Sequence, residues 1–365
     1  MFVGGEFYYE ERWLTNKLTL TTEGMYFLNG GQACLIVISD FLLDHKVSNV
    51  LLPSYLCPSI VNIFELQGLA YDFYQVKKDF SIDLEDLNNK LTTNQAVYLI
   101  NYFGFPHPAA TRDFISDLQH KGKIVVEDNA QAGFLSPILG DITFNSMRKL
   151  VPYDGGYLIT RFNMHPYIQK YKNRPNNRLP LIREYRKKLH PYLENGESSY
   201  DLLVRLFTLS EQLYATGLVV LGDEVEKDHI EHLNWAGIMQ ARRQNYQYMS
   251  QLVKDIPEIA PIFPTLLDGM MPMGFPVYFT GVSRDRVNNE LGDSEIGLSI
   301  HWDDLITDQR TNRNKIAVEM ASNIITLSID QRVTNIQMDY LARALRDIIA
   351  SLKRSLRFSI SPLIT

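Results

Sequence analysis

The sequence predicts an α/β protein, with a mostly parallel sheet flanked by helices and a smaller α+β lobe behind it. Three observations lead there. Short β-branched runs alternate with helical patterns through residues 49–160. The pattern then turns helical from about residue 178 to residue 260. A shorter alternation of strands and helices closes the chain.

Taken in order, NVLLPS (49–54) reads as a strand and PSIVNIFELQG (58–68) as a helix stopped by Gly68. LAYDFYQV (69–76) is a second strand and AVYLINYFG (96–104) a third. AATRDFISDLQHKG (109–122) has helical spacing and a glycine stop, and KIVVEDNA (123–130) is a fourth strand. GDITFN (140–145) and GGYLIT (155–160) add two more. REYRKKLHPYL (183–193), SYDLLVRLFTLSEQL (199–213) and WAGIMQARRQNYQYMSQLV (235–253) are helical. PVYFTG (276–281), IGLSIHW (296–302) and NIITLSI (323–329) read as strands before a last helix at 340–356. The expected division is a large domain over 1–240, with an N-terminal arm, and a small one over 241–365. In such a sheet, binding groups gather where strands end and helices begin.

Composition narrows the partners. A formal net charge of −6 excludes a generic nucleic-acid binder. Cys34 and Cys57 are the only cysteines, too few for a disulfide scaffold, which fits a reducing, cytoplasmic setting. The start, MFVGGEFYYEERW, is acidic and aromatic and does not read as a secretory signal. No run of about 18 apolar residues suggests a membrane span. His229 and His232 lie three apart with no third ligand in evidence, so no metal is expected.

The chemistry concentrates around ITFNSMRKLVPYDGGYLIT (142–160). Ser146-Met147-Arg148-Lys149 matches the Ser-x-x-Lys nucleophile motif, but the companion Ser-Asp-Asn and Lys-Thr-Gly tripeptides are absent. Pro152 would also cut short the helix that such a motif opens. Lys149 can instead form an imine with pyridoxal phosphate (PLP). That chemistry needs a carboxylate for the pyridine nitrogen, a phosphate cradle and a flat side chain over the ring. Asp128, at the end of a strand, is the candidate carboxylate, or else a cap on the next turn. Asn29-Gly30-Gly31-Gln32 opens a helical run and offers free backbone N–H groups to a phosphate. Plain capping by Asn29 is the alternative. Ser146 could add a hydroxyl to the same phosphate. Tyr55 is the candidate ring-stacking residue and Cys57 the next.

The segments YFLNGGQACL, VLLPSYLCPS, INYFGFP, VVEDNAQAGF and GDITFNSMRKLVPYDGGYLIT resemble the fold-type I PLP enzymes, in particular the sugar aminotransferases of the DegT/StrS family. LSIHW and LSIDQR match more loosely. The resemblance implies a large domain built on a mostly parallel seven-stranded sheet, and a homodimer. It makes Lys149 the Schiff-base lysine and Asp128 the pyridine-nitrogen partner. It sets Gln131 near the cofactor's 3-hydroxyl, Ser146, Gly31 and Gln32 at the phosphate, and Tyr55 over the ring. The reaction implied is amino transfer from glutamate to a keto-sugar nucleotide, with His301, Trp302 and Arg332 as substrate candidates. The same fold also hosts sugar dehydratases and non-catalytic PLP-binding regulators. Known dehydratases of this type replace the lysine by histidine, and the regulators carry a nucleic-acid-binding appendage. The family's Asn-Tyr-Arg-Met stretch, whose Asn reaches the partner subunit's phosphate, is absent here. The closest region is the helical 199–220.

Overall fold

The computed structural model describes residues 1–93, 95–215 and 219–359, with side chains to residue 354. Seven strands form the main sheet: β1 (Tyr26–Leu28), β2 (Asn49–Pro53), β3 (Ala70–Tyr74), β4 (Gln95–Ile100), β5 (Ile124–Asn129), β6 (Ile142–Asn145) and β7 (Gly156–Thr160). Their spatial order is β1-β7-β6-β5-β4-β2-β3. Strands β2 to β6 pair in parallel, and β7 runs antiparallel to both β6 and β1. Each residue of β4 is buried, as expected of a central strand covered on both faces. The expected strands and helices of this half lie where the periodicity placed them, within one to a few residues. The short edge strand β1 carries no alternation long enough to announce itself.

Helix α1 (Gly31–Asp44) follows β1, and α2 (Pro58–Gln67) follows β2. Gly68 ends α2 in the left-handed conformation that glycine takes without steric cost. Helix α3 (Ala109–His120) connects β4 to β5. The helical middle of the chain supplies α4 (Leu179–Asn195) and α5 (Tyr200–Ala215), which pack on each other through Leu179, Ile182, Leu189 and Leu203. The long α6 (Trp235–Val253) runs unbroken through residue 240 into the C-terminal lobe.

That lobe holds an antiparallel sheet in the order β10-β9-β8, made of β8 (Ile259–Pro261), β9 (Phe275–Phe279) and β10 (Ile324–Leu327). Helix α7 (Asn335–Ser359) lies alongside α6. The strand expected over 296–302 shrinks to Ile296–Gly297. Its partner, Val3–Gly4 from the N-terminal segment, is only two residues long, so the ladder has nothing further to pair with. This parallel pair ties the start of the chain to the C-terminal lobe.

Successive carboxylates on β5 serve opposite faces. Glu127 accepts hydrogen bonds from Asn101 Nδ2 (2.7 Å), the amides of Leu139 (2.7 Å) and Gly140 (2.9 Å), and Thr143 Oγ1 (3.0 Å). Asp128 points the other way, because side chains alternate along a strand. It accepts from Tyr98 Oη and from the amide of Ala130, both at 2.7 Å.

Candidate active site

Four strand ends and one helix start converge at a single edge of the sheet. A cavity of about 180 Å³ opens there. Asp128 reaches it from β5, and Gln131 from the turn that follows. Ser146, Arg148 and Lys149 come from the segment after β6, and Gly31 and Gln32 from the first turn of α1. The structure therefore gathers Lys149, Asp128, Gln131, Ser146, Gly31 and Gln32 around one space, with Trp302 from the C-terminal lobe on its rim.

Local chemistry shapes this edge. Residues 147–149 form a single 3-10 turn, closed by a bond from the Lys149 amide to the Ser146 carbonyl (3.2 Å). Pro152 follows within the next few residues, and no longer helix develops. The glycine pair after it answers to crowding. A Cβ on Gly156 would lie 2.4 Å from the Asn145 carbonyl oxygen and 3.0 Å from the Gly30 carbonyl carbon. Only glycine lets β7 pass between β6 and the start of α1.

Gly30, at φ +124°, precedes the first residue of α1. No side chain caps that helix. The expected alternative of Asn29 as N-cap is thus not the arrangement seen. The Asn29 side-chain oxygen instead accepts from Asn176 Nδ2 at 2.9 Å. The first-turn N–H groups of α1 are left for another acceptor.

Asp128 is 6% exposed, and burial pushes its carboxyl up to about 6. The Tyr98 hydroxyl, the Ala130 amide and the nearby Lys149 cation act in the opposite direction. Lys149 itself is exposed, at the opening of the cavity. It also borders a second cavity of about 130 Å³, lined by Glu6, His301, Asp330 and Arg332 among others. The lysine therefore stands on the wall between two spaces.

The remaining candidates divide. Tyr55 is fully buried and packs against Phe80, Tyr102 and Trp302 rather than lining the first cavity. Cys57, two residues on at the start of α2, lines it instead. The ring-stacking position expected for Tyr55 is corrected on that ground: the tyrosine ring is spent in an aromatic cluster. Trp302 borders the first cavity, and His301 the second. His301 Nδ1 lies 3.0 Å from Thr326 Oγ1, and burial followed by the Lys149 charge takes its pKa down to about 3. The imidazole is neutral across the ordinary pH range.

Arg332 is a clamp rather than a free cation. Its Nε and Nη2 meet the two oxygens of Asp330 at 2.9 and 3.0 Å. It also donates to the carbonyls of Gly5 (3.0 Å) and Glu6 (2.6 Å) and stacks near Phe7 and Tyr8. Its fork is engaged this way, and the residue also borders the second cavity with His301 and Lys149.

Two contributors to the cavity come from far along the chain. Arg148 Nη2 donates to Glu211 Oε2 at 2.7 Å, and its guanidinium lies 4.4 Å from the Tyr214 ring centre. Glu211 and Tyr214, both on α5, line the same cavity. No local motif marks these two residues. Only their helical spacing of three, which sets them on one face, hints that they act together.

The residues present fit the cofactor that the sequence resemblance implies. Gln32 Oε1, Gln131 Nε2 and Arg148 Nη1 are buried and without hydrogen-bond partners, and all three residues line the cavity. Buried polar atoms are normally paired. A ligand carrying both donors and acceptors would satisfy them.

Comparisons with known proteins agree with the architecture. The family model for aminotransferase class I and II matches residues 7–135. No curated protein sequence matches the chain significantly. Among solved structures, the putative sugar aminotransferase Spr1654 from Streptococcus pneumoniae, in its PMP form, is similar at 15% identity. Its TM-score is 0.64, over 96% of this chain and 94% of that one. Helicobacter pylori PseC, an aminotransferase involved in the biosynthesis of pseudoaminic acid, is similar at 12% identity and a TM-score of 0.63, over 90% and 87% of the two chains. E. coli GDP-4-keto-6-deoxy-D-mannose-3-dehydratase, with bound hydrated PLP, is similar at 15% identity and a TM-score of 0.61, over 88% and 87%. The match over residues 7–135 and the solved structures agree on one point, the fold, which is that of the type I aminotransferases.

Proposed function

We propose that this protein is a PLP-dependent aminotransferase that moves an amino group from glutamate to the keto group of a nucleotide-linked sugar, in polysaccharide or sugar biosynthesis. The observation that carries the reading is the shared cavity of Lys149 and Asp128, lined by buried polar atoms that lack partners. Bound PLP supplies an aldehyde and an electron-withdrawing ring.

The chain's own residues do the rest. Asp128 holds a proton on the ring nitrogen through whichever lone pairs Tyr98 and the Ala130 amide leave open. Gln131 Nε2 donates toward the 3-oxygen, while its Oε1 is fixed by the Phe103 amide at 2.8 Å. Gly31, Gln32 and Ser146 receive the phosphate at the start of α1. Lys149 would hold the aldehyde carbon in the resting protein, and once the donor's amine has displaced it, its freed Nζ would take the proton from Cα of that donor. Cys57 borders the ring space. Trp302 offers a flat surface to the sugar, and neutral His301 a hydrogen-bonding edge in the second cavity. The functional unit in this reading is a homodimer in the cytoplasm, each chain divided near residue 240. Among the described residues, no helix is long and apolar enough to cross a membrane.

Purified protein supplied with PLP should absorb near the visible edge, and Lys149→Ala should remove that band. Glutamate should then change the spectrum and release 2-oxoglutarate in amounts equal to the protein. A colourless protein that takes up no PLP would sink the reading. The fold also hosts a dehydratase. Water loss from a keto-sugar nucleotide with no amino donor consumed would assign that chemistry instead.

A further inference from the structure

The cavity has an arginine-bearing wall that the sequence did not announce. Glu211 bridges two guanidinium groups, taking Arg148 Nη2 on one oxygen at 2.7 Å and Arg178 Nη2 on the other at 3.0 Å. Both arginines lie over the Tyr214 ring, with their guanidinium carbons 4.4 and 4.8 Å from its centre. Arg178 and Arg186 share Asp154 behind them. Glu226 accepts from the Asp154 amide at 2.6 Å and from Arg183 at 2.8 Å, and Arg183 also meets Asp223, so four arginines face four carboxylates.

One donor of this cluster is left over at the cavity. Arg148 Nη1 is buried without a partner, and Arg148 lines the cavity. Burial raises the Glu211 carboxyl, but Arg148 and Arg178 more than offset it, so the residue stays ionised and keeps Arg148 in place. Tyr214 contributes on the same side. A Cβ built on Gly30 would lie 3.0 Å from Tyr214 Oη and 3.8 Å from Ser146 Oγ. The hydroxyl of Tyr214, the hydroxyl of Ser146 and the first turn of α1 therefore surround one small space, with the Arg148 fork beside it.

We infer that Arg148 and Tyr214 bind the phosphate of the cofactor, with Glu211 as the residue that positions Arg148, so that α5 of the same chain closes the anion cradle. This rests on the PLP reading above. A charged fork held by a carboxylate and stacked on a ring is already oriented for a phosphate dianion. Lysine in its place would keep the charge and lose the fork.

The test compares two ligands that share the ring and differ in the phosphate. Cofactor-stripped protein is titrated with pyridoxal 5′-phosphate and separately with pyridoxal, by absorbance. Arg148→Gln should weaken pyridoxal phosphate by about 10- to 100-fold, the range for a charge-assisted hydrogen bond. Pyridoxal binding should change by less than about 3-fold, since the ring contacts remain. Arg148→Lys should fall between wild type and Arg148→Gln. Tyr214→Phe should weaken pyridoxal phosphate alone by about 3- to 10-fold, and it decides the matter if Arg148→Gln fails to fold by circular dichroism. Equal losses for both ligands, or no loss for either, overturn the inference while leaving the PLP reading intact. Wild-type protein that binds neither ligand overturns the PLP reading itself.

Discussion

Asp128 carries the clearest pH consequence of any residue in the site. Burial lifts its carboxyl from the ordinary 3.8 to about 6, so the folded cofactor-free protein holds this proton more tightly than the unfolded chain does. The associated stability is fully present below about pH 4 and is lost as pH rises through 6. Denaturant titrations of cofactor-free protein should show this decline, and Asp128→Asn should flatten it. Cofactor binding should run the other way, tightening as pH rises through 6, because the ring nitrogen needs the ionised carboxylate. Tyr98→Phe removes a hydrogen bond to that carboxylate and should move the binding midpoint to higher pH. The site's central residues were legible because Asp128, Ser146 and Lys149 each stand at the end of a recognisable strand. Tyr55 was misplaced because the chain after β2 turns before α2 begins. Nothing in LLPSYLCPS says which of Tyr55 and Cys57 will face the opening.

At the scale of elements, the informative segments are those that bring distant residues to the site. Helix α5 was legible as a helix from its periodicity. Its delivery of Glu211 and Tyr214 to a cavity built mostly from residues 31–149 was not, since docking depends on tertiary packing. Helix α6 has a similar hidden role. Its Arg242 is fully buried and donates to Gln331 Oε1 (2.8 Å), the Pro272 carbonyl (3.2 Å), the Met273 carbonyl (2.8 Å) and the Leu150 carbonyl (2.9 Å). It thereby pins the residue after Lys149 to the C-terminal lobe. Arg242→Met should leave these acceptors short of donors and cost about 2–4 kcal/mol, read by denaturant unfolding. Arg332→Ala strips the partner from buried Asp330 and should cost about 3–5 kcal/mol. It should also release the N-terminal segment, which limited proteolysis near residues 5–8 would detect.

Across the whole molecule, the two lobes meet at Lys149, between the cavity that holds Asp128 and the one that holds His301 and Arg332. A ligand that bonds this lysine and fills the first cavity should stabilise the entire fold. At a hundred times its dissociation constant the gain is about 2.7 kcal/mol. Pyridoxal phosphate should therefore raise the melting temperature of wild-type protein, and Lys149→Ala should shrink the increase. The order of the parallel strands was legible only as a class, since alternation of strands and helices does not say which strands are neighbours. The small lobe was the least legible part: its strands are short, and one of them pairs with the first residues of the chain. Glu127 and Asp128 show what such a fold demands of its coding sequence. Both are acidic, yet one is enclosed by amides and hydroxyls on the structural face and the other looks into the reaction space. Deleting a single codon upstream within β5 would exchange their orientations without changing the local charge. Natural variation should therefore tolerate exchanges of residue type in this strand more readily than any shift in its phase.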